Sequence, residues 1–263
     1  MRSEVTFVNK NGVEYITFNE LEKYSNLVCV YTTSKNNFRI VDEKDIESVK
    51  KQYELLKIAL NAKEYVVPKQ THSTNVYVLK DEKGIYPESL KNVDAVVTDK
   101  KGIILSLVFA DCTPIMLYDK EKKVISCVHS GWRGTLNSIV TETIKKMESQ
   151  FSCSTKDIIC LIGPTIKKCH FEVEDDVRSL FYDKYKYLPN INEIISKEKI
   201  VDGVKKYYID TVLLNKTIMK SLGIKEENII DCKICTVCES DKFHSHRKFK
   251  DSAGRSTLAV MLK

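Results

Sequence analysis

Apolar residues come in short runs along this chain, and two of the runs stop abruptly at polar clusters. Ile103 to Ala110 (IILSLVFA) is apolar but for one serine, and Val124 to Val128 (VISCV) repeats the pattern. Runs of this length without alternation predict strands buried on both faces. The first ends at Ala110-Asp111-Cys112-Thr113-Pro114 and the second at His129-Ser130-Gly131-Trp132-Arg133-Gly134. Strand ends are where a rigid sheet presents side chains to a pocket.

Other elements follow from the same patterning. Val5 to Phe18 predicts a hairpin, because Asn11-Gly12 suits the positive φ angles of a two-residue turn. Leu27 to Thr32, Tyr65 to Val67, Asn75 to Leu79 and Val93 to Thr98 predict strands, as do Ile158 to Ile162, Tyr207 to Ile209, Ile229 to Ile234 and Leu258 to Leu262. Helical spacing covers Asp42 to Leu60, Leu136 to Met147 and Val173 to Tyr185. A further helix over Thr211 to Leu222 is capped by Asp210 and ended by Gly223. Residues 189–206 are polar and poorly patterned and are expected to form a loop. Strands and helices do not alternate strictly, and no linker or repeat intervenes. The expectation is one α/β (α+β) domain spanning residues 1–263, with a mixed sheet.

Charge and cysteine usage narrow the class. The net charge of +6, from 42 basic and 36 acidic residues, is spread without a basic block. That argues for a solvated surface and against nucleic-acid binding, while leaving room for a phosphate-bearing small substrate. The N-terminus carries no signal-like apolar region and no run reaches membrane-spanning length, so a cytoplasmic protein without membrane contact is expected. The nine cysteines are odd in number and several sit in apolar runs, which suits free thiols in a reducing compartment. No oligomeric state is implied.

His72, Cys112 and His129 each follow a strand and sit among polar residues. Two imidazoles and a thiolate suit a zinc site with an open fourth position, which lowers the pKa of a bound water; copper suits the same set less well. The spacing alone favours three unrelated residues over a metal site, and it also allows Cys112 and His129 as nucleophile and base with Asp111 orienting them. Cys232-x-x-Cys235-x-x-Cys238, with His244 or His246, is a competing metal set. On a continuous strand Cys235 would point away from the other two, so free thiols are expected there. His170, after Cys169, is expected to have no catalytic role. Arg133, Arg247 and Arg255 are candidates for a phosphate, Arg133 foremost because it sits at a helix start. Gln70 and Ser245 are candidates for substrate hydrogen bonds, and Trp132 for packing beside the site.

These segments, together with Gln70-Thr71-His72-Ser73, Ile162-Gly163-Pro164 and Ser245-His246-Arg247, resemble the laccase-domain (YfiH-like) family, once labelled multicopper polyphenol oxidases. The match runs in order from about residue 60 to the C-terminus; His246 departs from it, standing where the family often has an aromatic residue. The resemblance implies layered sheets flanked by helices and a zinc site at His72, Cys112 and His129. It implies phosphorolysis of purine nucleosides (adenosine, inosine, guanosine, methylthioadenosine) and deamination of adenosine. Arg133 then falls to phosphate or ribose, Gln70, Ser245 and Arg247 to substrate, and Asp111 to proton transfer. Three rivals remain: a copper-dependent polyphenol oxidase, a metal-free Cys-His hydrolase and a non-catalytic binding module. A multicopper oxidase would need on the order of ten histidines, and this chain has five.

Overall fold

Asn11 (φ 53°) and Gly12 (φ 79°) close the first hairpin in the left-handed conformation expected of them. In the computed structural model, which describes residues 4–201 and 203–263, the chain continues from that hairpin into layered sheets. In order come β1 (Val5–Lys10), β2 (Val13–Phe18), β3 (Leu27–Thr32), α1 (Glu43–Leu60), β4 (Glu64–Val67), β5 (Val76–Val78), β6 (Gly84–Ile85), β7 (Ala95–Thr98), β8 (Ile103–Phe109), β9 (Thr113–Asp119) and β10 (Val124–Ser130). There follow α2 (Trp132–Leu136), α3 (Ile139–Phe151), β11 (Ile158–Ile162), β12 (Glu172–Val173), α4 (Asp175–Tyr185), α5 (Ile191–Ile194), β13 (Lys199–Val201), β14 (Val204–Tyr208), α6 (Thr211–Ser221), β15 (Ile229–Asp231), α7 (His246–Phe249) and β16 (Ser256–Leu262).

Two mixed sheets pack face to face. One has the order β1-β2-β3-β16-β8-β4-β6 and the other β15-β11-β9-β10-β7-β5. Alternation along each strand divides its side chains between two cores. On β16, Leu258, Val260 and Leu262 join Met116, Tyr118, Ile125 and Cys127 between the sheets. Ala259 and Met261 instead meet Val49, Tyr53 and Leu56 of α1 on the outer face. On β9 and β10, Ile115, Leu117, Val124 and Val128 pack against Ile139, Ile144 and Met147 of α3 and Leu214 and Ile218 of α6. With both faces covered, the central strands need no polar alternation, which is why they read as unbroken apolar runs. The result is one α/β domain of helix, sheet, sheet and helices.

Four sequence expectations are corrected. The β9 strand (TPIMLYD) was not expected, because Thr113-Pro114 was read with the polar cluster that ends the preceding run; Pro114 sits at the second position of a central strand. The helix expected over 136–147 is two, α2 and α3, parted at Ser138 (φ 59°). Residues 189–206 are not a bare loop: they hold α5, β13 and the start of β14, and β14 is the middle strand of a third, antiparallel sheet, β12-β14-β13. Several of their side chains are exposed, which blurs the periodicity. The strand expected to reach Ile234 ends at Asp231. Among the described residues no helix is long and apolar enough to cross a membrane. Leu117 is fully buried in the sheet that carries His129. Leu117→Ala is expected to cost about 2–5 kcal/mol of stability, read as a lower urea midpoint at unchanged m.

Candidate functional site

Three connections converge beside the paired sheets. His72 lies in the loop after β4, Cys112 in the tight link between β8 and β9, and His129 near the end of β10 itself. The loop of His72 is tied to β8 by Gln70, whose amide donates to the Val108 carbonyl (3.0 Å) and accepts from the Val108 amide (2.8 Å). His72 (φ 62°) and Asp111 (φ 81°) both adopt the left-handed region, a strained backbone that persists where the surroundings over-determine it.

Asp94, immediately before β7 and fully buried, organises two of the three residues. Its Oδ1 accepts from His129 Nδ1 (2.8 Å) and from the His72 amide (3.1 Å). Its Oδ2 accepts from the Thr71 amide (3.1 Å) and from the Ser73 amide and hydroxyl (both 2.7 Å). Its carbonyl accepts from the His129 amide at 2.8 Å. An ionised carboxylate only accepts, so His129 Nδ1 carries a proton in either charge state and Nε2 is the nitrogen that gains or loses one. Burial opposes the charge on Asp94, but the His129 and Ser73 hydrogen bonds outweigh it and hold its pKa at about 2. Asp94 was missed in the sequence. The one signal was a lone carboxylate inside an apolar segment, Val93-Asp94-Ala95-Val96-Val97.

Cys112 Sγ lies 3.8 Å from His72 Nε2, and the two imidazole rings meet edge to face at 4.9 Å. One ligand atom from each residue falls within 4.8 Å of the others. Burial pushes the Cys112 thiol up, but His129 and then His72 outweigh it and bring the pKa down to about 6. Burial disfavours charged His129, yet the Cys112 thiolate and Asp94 raise it to about 9. Gly131 covers the trio. A Cβ there would lie 2.7 Å from the His72 ring, 3.3 Å from Cys112 Sγ and 3.5 Å from the His129 ring. A metal held by one sulfur and two nitrogens needs S···N separations of about 3.5 Å, and the Cys112–His72 separation of 3.8 Å is close to that. The three residues could therefore hold a metal ion.

His72 and Cys112 open onto a cleft of about 730 Å³, within the usual range of ligand pockets, and His129 lies buried behind them. His72, Cys112, Asp111, Trp132 and Arg247 reach its lining; Gln70, Arg133 and Ser245 do not. Trp132 is thus beside the site as expected. Arg133, the foremost phosphate candidate, is exposed and stacks on the Trp132 ring at 4.1 Å. Gln70 spends its amide on Val108. Ser245 is a fully buried N-cap of α7, accepting from the Lys248 amide at 3.3 Å. Arg255 donates to the Ala253 and Gly254 carbonyls, away from the cleft. Arg247 lines the cleft and donates to the His170 (2.9 Å) and Glu172 (3.1 Å) carbonyls. Asp111 accepts from the Thr236 hydroxyl (2.6 Å) and the Arg247 amide (2.5 Å). These bonds tie Asp111 to the two segments that flank it, and each oxygen keeps a further lone pair beside the cleft. Lys206, also in the lining, gave no signal inside its polar stretch.

The second cysteine set also differs from expectation. Because β15 stops at Asp231, Cys232 turns into the core and Cys235 and Cys238 turn the other way, toward Cys169 and His170. His244 contacts the Asn36 carbonyl and His246 the Lys250 carbonyl, so neither joins them.

If Asp94 sets the orientation of both imidazoles, Asp94→Asn should weaken zinc binding about 10–100-fold. Competition with a chromophoric chelator would measure this, with the far-UV circular dichroism unchanged.

Comparison with known proteins places the chain in a family. A family model described as "Multi-copper polyphenol oxidoreductase laccase" matches residues 28–263. A relative from Bacteroides thetaiotaomicron, named a purine nucleoside phosphorylase, is 30% identical over 262 residues, covering 93% of this chain and 95% of the relative. A protein of an unknown prokaryote, named adenosine deaminase RL5, is 29% identical over 214 residues, covering 79% of each chain. The fold is shared with the crystal structure of the Bacillus licheniformis hypothetical protein YfiH, at a TM-score of 0.84 and 24% identity over 98% of this chain and 99% of that one. With the family model covering most of its length and the same layered fold beneath it, this chain belongs to the laccase-domain family.

Proposed function

We propose that this chain is a zinc-dependent purine nucleoside phosphorylase that also deaminates adenosine, acting on adenosine, inosine, guanosine and methylthioadenosine. The observation that supports it most is the His72, Cys112 and His129 cluster, oriented by Asp94 and open to a nucleoside-sized cleft. The names of the relatives point to purine nucleosides as a class and to adenosine. Held by Cys112 Sγ, His72 Nε2 and the free His129 nitrogen, zinc would supply Lewis acidity at neutral pH.

The chain's own side chains account for binding. Trp132 and Phe171 line the cleft and offer aromatic faces to a purine. Arg247 uses two of its five donors on carbonyls, leaving others for a phosphate oxygen. Lys206 adds positive charge to the same wall, tempered by its 2.6 Å ion pair with Glu174. In phosphorolysis a phosphate oxygen bonds to the ribose C1′ as the glycosidic bond breaks. The purine leaves with the electron pair and takes up a proton. The transition state has oxocarbenium character, so an anion held beside C1′ stabilises it. In deamination, water replaces the exocyclic amine at C6 and ammonia leaves. Asp111 acts by holding Thr236 and Arg247 in place.

One observation favours a second reading. Cys112, His129 and Asp94 have the order of a thiol hydrolase: nucleophile, base and orienting carboxylate. His72 beside the thiol and Gly131 over the trio have no part in that chemistry, which is why the metal reading is preferred. A multicopper oxidase is disfavoured by the placement of the five histidines. Among the described residues only His72 and His129 share a ligand cluster with Cys112; His170 belongs to another cluster, His244 contacts the Asn36 carbonyl, and His246 lines the cleft but contacts the Lys250 carbonyl.

The purified protein should release hypoxanthine from inosine only with phosphate present, and ammonia from adenosine. Cys112→Ser should lower kcat/KM on the order of 10³-fold, the worth of several kcal/mol of charge stabilisation. Prolonged chelation should abolish both activities, and zinc rather than copper should restore them. Full turnover by chelated protein, lost on thiol alkylation, would transfer the assignment to the hydrolase.

A further inference from the structure

We infer that Cys169, His170, Cys235 and Cys238 form a second, closed metal site, structural in role and suited to zinc. Four potential ligands come from two separate segments. Cys169-His170 lies in a tight turn in which the His170 and Phe171 amides donate to the Lys167 carbonyl at 2.9 and 3.0 Å. Cys235-Thr236-Val237-Cys238 is a Cys-x-x-Cys turn, closed by the Glu239 amide on the Cys235 carbonyl at 2.9 Å. A short parallel bridge between Thr165 and Cys235 holds the two segments together.

The separations are those of a coordination tetrahedron. With metal bonds of about 2.3 Å to sulfur and about 2.0 Å to nitrogen, its edges are about 3.8 Å between sulfurs and about 3.5 Å from sulfur to nitrogen. Cys169 Sγ is 3.7 Å from Cys235 Sγ and 3.9 Å from Cys238 Sγ. His170 Nδ1 is 3.1, 3.7 and 3.6 Å from the sulfurs of Cys169, Cys235 and Cys238. All four ligand atoms lie within 4.8 Å of one another. Hydrogen bonding does not explain this packing, because one imidazole lone pair accepts one proton and here three thiols face it. One cation bound by all four atoms satisfies every contact. Three thiolates and one imidazole in tetrahedral array select zinc and leave no open position for substrate.

The site is separate from the His72, Cys112 and His129 cluster, and its consequence is mechanical. The segment of Cys169 and His170 continues into Phe171 and Glu172 of the cleft wall, and the His170 and Glu172 carbonyls hold Arg247. Thr236, inside the other turn, holds Asp111 beside Cys112. An ion joining the turns would fix the Arg247 wall against the Cys112 wall.

The test does not use activity. Elemental analysis of the full-length protein should find two zinc ions per chain, with one remaining in Cys112→Ala and one in Cys235→Ser. Cys238→Ser, at an exposed position, gives a second variant should Cys235→Ser fail to fold. Loaded with cobalt(II), Cys112→Ala should keep an intense thiolate-to-cobalt absorption that Cys112→Ala/Cys238→Ser loses. Chelation should lower the Tm of Cys112→Ala but not of the double variant. Zinc at one per chain that vanishes entirely in Cys112→Ala would overturn the second site and leave the first intact. A metal-free Cys112→Ala, two mass units light through a disulfide at Cys169, would overturn it in favour of a redox pair. Loss of the first ion alone would leave this inference standing and strike only the proposed function.

Discussion

The buried carboxylate of Asp94 is the interaction on which the site depends. It stands where the His72 loop, the start of β7 and the end of β10 meet, and it accepts from both histidine segments. A buried anion is costly unless it is fully bonded, and Asp94 meets five donors. That satisfaction forces the His72 loop into a left-handed turn and leaves the His129 ring one choice of protonated nitrogen. The chemistry of the trio is thus a consequence of satisfying one carboxylate next to a packed core.

The paired sheets make that constraint possible. Central strands covered on both faces leave polar side chains few exits except at strand ends, and Asp111, Cys112 and His129 occupy those ends. The short link from β8 to β9 carries the chain from one sheet to the other, so Cys112 stands where the two sheets communicate. Asp111, at φ 81°, faces the other way and gathers Thr236 and Arg247 from the C-terminal third. Residues far apart in the chain are therefore locked to one short crossover. The Cys169, His170, Cys235 and Cys238 cluster ties the outer sides of the same two segments. The cleft wall is fastened from within by hydrogen bonds and from without by thiols, and both fastenings bear on Arg247.

The family description mentions copper, while the ligand chemistry here leans elsewhere. A thiolate beside two imidazoles suits zinc, and the remaining histidines are occupied singly at separate places. His170 sits among sulfurs, His244 packs over Gly254, and His246 contacts a backbone carbonyl. Nothing in that distribution assembles the imidazole-rich cluster an oxidase would need.

Local patterning was enough to determine the hairpin at Asn11-Gly12, helix α1 and most buried strands, while the three residues of the main cluster stood out through the family resemblance. Each of these elements has a signature within a few residues: turn chemistry, apolar residues at helical spacing, an unbroken apolar run. Pairing between distant segments had no such signature. Gln70 and Ser245 look like substrate groups until their partners, Val108 and Lys248, are known. Arg133 looks like an anion site until its side chain is seen stacked on Trp132. Asp94 is one carboxylate among many until the fold buries it. Cys235 and Cys238 share no strand face with Cys232, and their partners lie some seventy residues earlier, at Cys169 and His170. Side-chain type and local period specified which elements form. Only tertiary packing decided which polar groups were already satisfied by the protein and which were left facing the cleft.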